Sequence, residues 1–121
     1  MVRRQLDVNL GAVMAELSCE LASQIEQLKK TLLVVLVEET YDPDNFGNAA
    51  LTMVGPEISI RLVRDRGQVF MDIAQADGEW VDANEILEAV RLHPRPGQSL
   101  EMFELTRLIC ANSGRIREFI A

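Results

Sequence analysis

Apolar residues recur every three or four positions along the first quarter of the chain. The stripe consists of Leu6, Leu10, Val13, Leu17, Leu21, Ile25 and Leu28. Glu16, Glu20, Glu26 and Lys29 fall outside it. This spacing lines up one face of an α-helix, so we expect an N-terminal helix that is weakened where Gly11 interrupts the pattern.

The pattern then changes from a helical period to that of strands. Residues 31–40 are rich in β-branched side chains and apolar at both alternating positions, which predicts a strand covered on both sides, with a helical continuation as the alternative. Turn-forming residues occupy 41–47. Three more predicted strands lie at about 48–54, 58–64 and 68–73. The connection 65–67 is a short hairpin loop, in which Gly67 should supply a positive φ.

A helix start follows the last predicted strand. Asp82 is the expected N-cap, Glu85 completes a capping box three residues later, and Val81 can pack on Ile86. The helix should run to about Leu92, because a segment with two prolines follows and cannot continue it.

Ser99 is expected to cap a last helix, and Gly114 to bend or interrupt it. The apolar side of this helix carries Met102, Leu105, Ile109, Ile116 and Ile120. The predicted order is therefore α-β-β-β-β-α-α. Short links between strands favour antiparallel pairing. We expect one α+β domain over 1–121, with a four-stranded antiparallel β-meander flanked by an N-terminal helix and two C-terminal helices.

Charge narrows the range of partners. The 121 residues carry a formal net charge of −7, which disfavours nucleic acid and anionic membranes and suits a basic protein partner. Solubility alone is the alternative explanation. Arg3 and Arg4 are not followed by an apolar run, and the longest such run, 32–37, is too short to span a bilayer. We expect a cytoplasmic protein, monomeric or homodimeric.

Four carboxylates fall within seven residues, and no lysine or arginine occurs between Thr31 and Ile60. They are Glu38, Glu39, Asp42 and Asp44. We predict them as a partner-binding patch for a cationic protein, with a solvated face as the alternative. Asp42, Asp44 and Asn45 could also hold a divalent cation, but their spacing fits no EF-hand loop. A second acidic stretch runs over 72–88.

No catalytic motif is visible, and we predict no catalytic, cofactor-binding or metal-binding residue and no cofactor. His93, the only histidine, is expected in solvent on a Pro-rich loop. Cys19 and Cys110 are expected as buried free thiols, with a disulfide as the alternative. The glycines form no phosphate-binding pattern. The chain is therefore expected not to be an enzyme, the alternative being a small enzyme whose site is assembled only in space.

Basic and aromatic residues of the middle of the chain are expected to have structural roles. Arg61, Arg64 and Arg66 should pair with acidic neighbours such as Asp65 and Asp72 across the hairpin rather than bind an anion. The two aromatic residues Phe70 and Trp80 are expected in the core or packed as staples, with exposed binding positions as the alternative.

The middle third of the chain resembles small uncharacterised bacterial proteins, some of which are immunity proteins that neutralise secreted toxins. The resemblance rests on Phe46-Gly-Asn48, on the strand-turn-strand segment 58–73 and on Trp80. It implies an α+β fold and toxin binding and identifies no functional residue. A secretion chaperone of the type III class, acting as a dimer with an exposed apolar groove for an effector segment, is the alternative function.

Overall fold

In the described part of the chain, six antiparallel strands form one sheet in sequential order, with helices before the second strand and after the last one. The computed structural model describes residues 2–3, 17–45, 47–75 and 78–121, and for residues 2–3 only the backbone. The strands are β1 Val2–Arg3, β2 Val35–Asp42, β3 Asn48–Val54, β4 Ile58–Asp65, β5 Gln68–Gln75 and β6 Val81–Asp82. The helices are α1 Leu17–Glu20, α2 Ala22–Leu32, α3 Ala83–Ala89, α4 Met102–Ala111 and α5 Ser113–Ile120.

The α+β class is confirmed, and the predicted count of four strands is wrong. Strands β2 to β5 form the expected antiparallel meander, but two-residue strands extend the sheet at both edges. Strand β1 pairs with Thr40 and Tyr41, and β6 pairs with Asp72 and Ile73. Strands of two residues are too short to show an alternating pattern, so the sequence held no signal for them.

One side of the sheet packs against the helices and forms the core. Its buried positions are Ala49, Leu51, Met53, Ile58, Ile60, Leu62, Met71 and Ile73. The helical side of the core carries Leu17, Leu21, Ile25, Leu28, Leu32, Leu105, Ile109 and Ile116. The apolar stripe of the N-terminal helix is thus confirmed from Leu17 onwards. The predicted positions Leu6, Leu10, Gly11 and Val13 lie outside the described residues.

The expectation that segment 31–40 is a strand covered on both sides is wrong in two respects. Helix α2 continues to Leu32 and ends at Leu33, whose φ is 59° and whose N–H donates to the Lys29 carbonyl. The strand begins only at Val35, and the side chains of Val35 and Val37 are 57% and 58% exposed. Val35 lies on the side of the sheet that faces away from the helices, as its partner Val54 does, and Val37 lies at the irregularity in pairing between Leu36 and Glu38.

The hairpin between β4 and β5 has a two-residue loop. Asp65 and Gln68 are cross-strand partners, and Arg66 and Gly67 between them have φ values of 54° and 85°. Two successive positive φ values are the signature of the type I′ turn, whose twist matches that of the flanking strands. The predicted positive φ of Gly67 is therefore confirmed.

The C-terminal helices follow the sequence pattern with shifted ends. The Asp82 side chain accepts from the Asn84 N–H at 2.7 Å, which confirms this N-cap, although α3 already ends at Ala89. Ser99 does not cap α4; the capping position is Glu101, without a side-chain cap hydrogen bond. The last helix is interrupted at Asn112 and not at Gly114.

Candidate partner-binding surface

The side of the sheet opposite the helices forms a second surface, here called the open face. Strand alternation places on it Val35, Glu38, Thr40, Asp42, Asn48, Ala50, Thr52, Val54, Ser59, Arg61, Val63, Asp65, Gln68, Phe70, Asp72, Ala74 and Asp82. All of these side chains are partly or fully exposed except the small Ser59 and Ala74. The described helices pack on the other side, so the open face has no cover among them.

The open face is strongly acidic. Strands β2 to β6 place five carboxylates on it, Glu38, Asp42, Asp65, Asp72 and Asp82, and one basic side chain, Arg61. Residues that are distant in sequence meet here because the register aligns them in rows across the sheet. One row runs through Glu38, Thr52, Arg61, Asp72 and Asp82. The resulting field attracts cationic surfaces.

A paired arginine lies in the middle of this face. The Arg61 guanidinium donates to Asp72 Oδ2 at 2.9 Å, and its central carbon lies 4.5 Å from the ring centroid of Trp80. The ion pair across the hairpin was expected and is confirmed. Because Asp72 already neutralises Arg61, the remaining four carboxylates dominate the charge that β2 to β6 contribute to the open face.

The other two arginines of the predicted cluster do not join Arg61. Arg64 is fully buried on the helix-covered side, where it pairs with Glu20 and donates through Nε to the Gly47 carbonyl at 2.9 Å. Arg66 lies on the exposed turn, and its backbone N–H donates to Asn48 Oδ1. Alternation along β4 separates Arg61 from Arg64, because residues three apart point to opposite faces of a strand.

The four carboxylates predicted as one patch are divided between the two sides of the sheet. Glu38 and Asp42 lie on the open face, and Asp44 lies in the adjoining turn, where its N–H donates to Asp42 Oδ1. Glu39 points the other way and is half-buried, with Oε2 accepting from the Ser18 N–H at 3.0 Å. Its carboxylate therefore supports the start of helix α1 rather than an exposed patch.

The sequence-based prediction placed Asp72 and Asp82 in a second acidic stretch and gave Asp65 a role in ion pairing, but it did not bring these residues together with Glu38 and Asp42. They meet only through strand pairing, which a search for clusters along the chain does not reveal. Strand alternation combined with the hairpin register would have placed Asp65 and Asp72 on the same side as each other. Their position next to Glu38 requires the pairing of β3 with both neighbours.

Aromatic and apolar side chains interrupt the acidic surface. Phe70 is 39% exposed on the open face, in one row with Thr40, Ala50 and Val63. Trp80 is half-buried beside Arg61. The expectation that Phe70 is a core residue is wrong, because the strand register places its side chain on the side of the sheet that faces away from the helices. Exposed aromatic residues within a polar surround are typical of protein-binding surfaces.

One end of the open face is apolar. Val35 and Val54 are cross-strand partners there, and Leu33 and Val37 each lie two positions from Val35 along the chain. The exposed fractions are 64% for Leu33, 58% for Val37, 57% for Val35 and 41% for Val54. Leu33 also adopts a positive φ, which costs a leucine about 1 kcal/mol relative to glycine. We call these four residues the apolar end.

His93 is buried, so the expectation of a solvated histidine is wrong. Its Nδ1 accepts from the Arg95 N–H at 3.1 Å, which leaves the proton on Nε2, and Nε2 donates to Asn84 Oδ1 at 3.1 Å. The same Asn84 oxygen accepts from the Leu100 N–H. These bonds fix the 93–100 loop to the start of helix α3, a structural role for the histidine.

The two thiols are free and differ in their surroundings. Cys19 is exposed, which corrects the expectation that both are buried, and Cys110 is half-buried with its thiol donating to the Gln27 carbonyl. Burial raises the pKa of the Cys110 thiol, and a hydrogen bond with the Thr31 side chain acts in the opposite direction. Among the described residues, no group of three or more His, Cys, Asp or Glu side chains could hold a metal ion.

Comparisons with known proteins gave no match from which a function could be inferred. No protein-family model matches the chain, and neither the curated proteins nor the solved structures contain a match. No helix within the described ranges is long and apolar enough to cross a bilayer.

Proposed function

We propose that this chain is a non-catalytic protein-binding module of the immunity type, which neutralises a bacterial toxin by binding a basic part of its surface. The observation that supports this proposal is the open face, where β2 to β6 bring together five carboxylates and one arginine. A basic toxin would meet opposite charge there without any catalytic group being required.

The open face combines two properties that a protein interface needs. Its acidic residues accelerate and orient the encounter with a cationic partner. Phe70 and Trp80 supply rigid aromatic area, which accounts for a large share of the binding free energy in many interfaces. Of the carboxylates predicted from the sequence, Glu38, Asp42 and Asp44 belong to the proposed contact, and Glu39 supports it from the covered side.

A test compares three versions of the protein as immobilised baits for a lysate of the native bacterium. The first is the wild type, and the second carries Glu38→Lys and Asp65→Lys on the open face. The third carries Glu26→Lys and Glu118→Lys, which change the net charge equally at exposed helical positions away from that face. A basic protein retained by the first and third baits and lost by the second supports the proposal. Equal retention by all three baits contradicts it.

Neutralisation requires a further measurement on the captured protein. Its expression alone should arrest growth, and co-expression of the wild-type chain should restore growth. The open-face variant should restore it poorly, because its association with the toxin is slower. A captured protein without toxicity would leave protein binding in place and exclude the immunity role.

A second candidate is a secretion chaperone of the type III class that binds an effector segment. It is favoured by the apolar end, where Leu33, Val35, Val37 and Val54 are exposed together. Exposed apolar groups of this kind mark interaction sites in soluble proteins. Under this alternative, the wild-type bait retains a secreted effector, and Val35→Ser with Val54→Ser abolishes retention while the open-face charge reversals do not.

A further inference from the structure

A narrow cleft lies beside strand β5, at a place where the sheet has no outer strand. It has a volume of about 290 Å³ and lies between residues 68–71 on one side and Ser99, Leu100 and Leu105 on the other. Strand β6 covers the outer edge of β5 only at Asp72 and Ile73. Within the described part of the chain, no strand pairs with the outer edge of β5 at 68–71.

The register shows which backbone groups face this cleft. In the β4–β5 hairpin, Asp65 and Gln68 flank a two-residue loop and therefore form a hydrogen-bonded pair. Hydrogen-bonded and non-hydrogen-bonded pairs alternate along an antiparallel ladder, so Gln68 and Phe70 bond to β4. Val69 and Met71 then direct their N–H and C=O groups away from β4, into the cleft.

A hydrogen bond on the other side of β4 supports this assignment of hydrogen-bonded and non-hydrogen-bonded pairs. The Ile58 carbonyl accepts from the Gly55 N–H at 3.0 Å, so the backbone groups of Ile58 point toward β3. Residues an even number of positions away from Ile58 on β4 share this direction, and odd-numbered residues bond to β5. That agrees with Asp65 and Val63 pairing with Gln68 and Phe70.

The far wall of the cleft combines the apolar side chains of Leu100 and Leu105 with the polar residues Asn84 and Ser99. Leu100 and Leu105 are buried there, and the Leu100 N–H donates to Asn84 Oδ1 at 3.1 Å. The same oxygen accepts from the buried His93, so a hydrogen-bonded cluster holds the loop in place. The cleft therefore offers a site of mixed polar and apolar lining next to an unpaired strand edge.

Acidic residues adjoin residues of the cleft along the chain. Glu85 follows Asn84, and Glu101 follows Leu100, and both are exposed. Glu104 precedes Leu105 and pairs with Arg95, which cancels the charge of that basic residue. These three carboxylates and Arg95, here called the acidic rim, carry a net negative charge, which complements a ligand that carries lysine or arginine beside its apolar residue.

We propose that this cleft binds an extended segment of a partner protein, which adds as a strand to the edge of β5 at Val69 and Met71. The segment contributes backbone N–H and C=O groups to the edge, an apolar side chain to the site against Leu100 and Leu105, and a basic side chain to the acidic rim. The cleft adjoins the open face, and Gln68 and Phe70 border both surfaces. The backbone edge of Val69 and Met71 and the loop at Ser99 and Leu100 do not belong to the open face, so the inference does not depend on the toxin-binding role.

The test uses a displayed library of short random peptides, selected on the folded protein, with the best peptide then synthesised. Its binding to the isotope-labelled protein is followed by amide NMR. The proposal predicts shifts concentrated at residues 68–71 and 99–100, and a basic residue flanking an apolar one in the selected peptides. Failure to select any peptide, or shifts located on the open-face residues of β2 to β4 and not at Val69, Met71, Ser99 and Leu100, would overturn the proposal.

Two comparisons separate strand addition from simple apolar binding. Two peptides are compared, one N-methylated at its odd-numbered amides and the other at its even-numbered amides. One of them should bind about tenfold or more weakly and the other almost normally, because only one set of N–H groups faces β5. Ser99→Trp, which fills the cleft from an exposed position, should abolish binding, and Gln98→Trp beside it should not. Equal weakening by the two methylation patterns, or equal effects of Ser99→Trp and Gln98→Trp, would contradict strand addition.

Discussion

The buried guanidinium of Arg64 is paired with the carboxylate of Glu20, which joins strand β4 to helix α1 across the core. Arg64 is 1% exposed, and the Glu20 side chain is 38% exposed. Arg64 Nε also donates to the Gly47 carbonyl, and the Tyr41 ring centroid lies 6.0 Å from the guanidinium carbon. Through these contacts, the buried guanidinium of Arg64 fixes the position of α1 on the sheet.

Glu20→Gln should lower the free energy of unfolding by about 1–3 kcal/mol, because it leaves the buried guanidinium without this counter-charge. Asp72→Asn provides the control, since it removes the partner of the more exposed Arg61 and should cost at most about 1 kcal/mol. Urea denaturation of both variants measures the difference. A larger cost at Asp72 than at Glu20 would contradict the role assigned to Arg64.

Two exposed glycines should respond to alanine with opposite signs. Gly67→Ala is expected to destabilise the fold by about 1 kcal/mol, because the residue adopts a φ of 85° and an added Cβ gains no contact there. Gly114 lies within helix α5, where an added Cβ also meets no atom within 4 Å. Gly114→Ala should stabilise by about 0.5–1 kcal/mol. Thermal denaturation measures both midpoints. If both substitutions shifted the midpoint in the same direction, the backbone conformations assigned to Gly67 and Gly114 would be wrong.

The hydroxyl of Thr106 lies in the core, and among the described residues its Oγ1 has no hydrogen-bond partner. Thr106→Val keeps the shape and removes the buried polar atom, so it should raise the free energy of unfolding by about 1–2 kcal/mol. Thr106→Ser keeps the hydroxyl and loses a methyl group, and should lower it by about 1 kcal/mol. If Thr106→Val lowered the free energy of unfolding, the hydroxyl of Thr106 would have a hydrogen-bond partner in solution.

The two thiols should react with iodoacetamide at different rates. Cys19 is exposed and should be labelled first at neutral pH. Cys110 is half-buried with a raised pKa, so less of its reactive thiolate is present at neutral pH, and its labelling should accelerate as the pH rises toward that pKa. Mass spectrometry of the digested protein follows both sites. Faster labelling of Cys110 than of Cys19 would mean that α4 opens away from α2.

Local patterns were sufficient for the elements and insufficient for the surface. The stripe from Leu17 to Leu28, the cap at Asp82 and the turn at Gly67 all depend on residues close in sequence, and all were predicted correctly. The exposure of Phe70 and the burial of His93 depend on which side of the sheet the helices cover. That choice is made by tertiary packing, which residue periodicity alone does not specify.

The same limit explains the candidate site. Counting carboxylates along the chain grouped Glu38 with Glu39, although neighbours on a strand point to opposite faces. The three carboxylates from β4 to β6 that share the open face with Glu38 lie far from it in sequence. Their assembly is a consequence of strand order and register.

The measurement that bears most directly on the proposed function is the association rate of the captured basic partner with the open-face variant Glu38→Lys/Asp65→Lys. At low salt, this rate should be about tenfold or more below that of the wild type, and the control Glu26→Lys/Glu118→Lys should retain most of the wild-type rate. Raising the salt should bring the three rates together, because the Debye length falls from about 10 Å at 0.1 M to about 3 Å at 1 M. Equal low-salt rates for the wild type and the open-face variant would contradict binding through the open face.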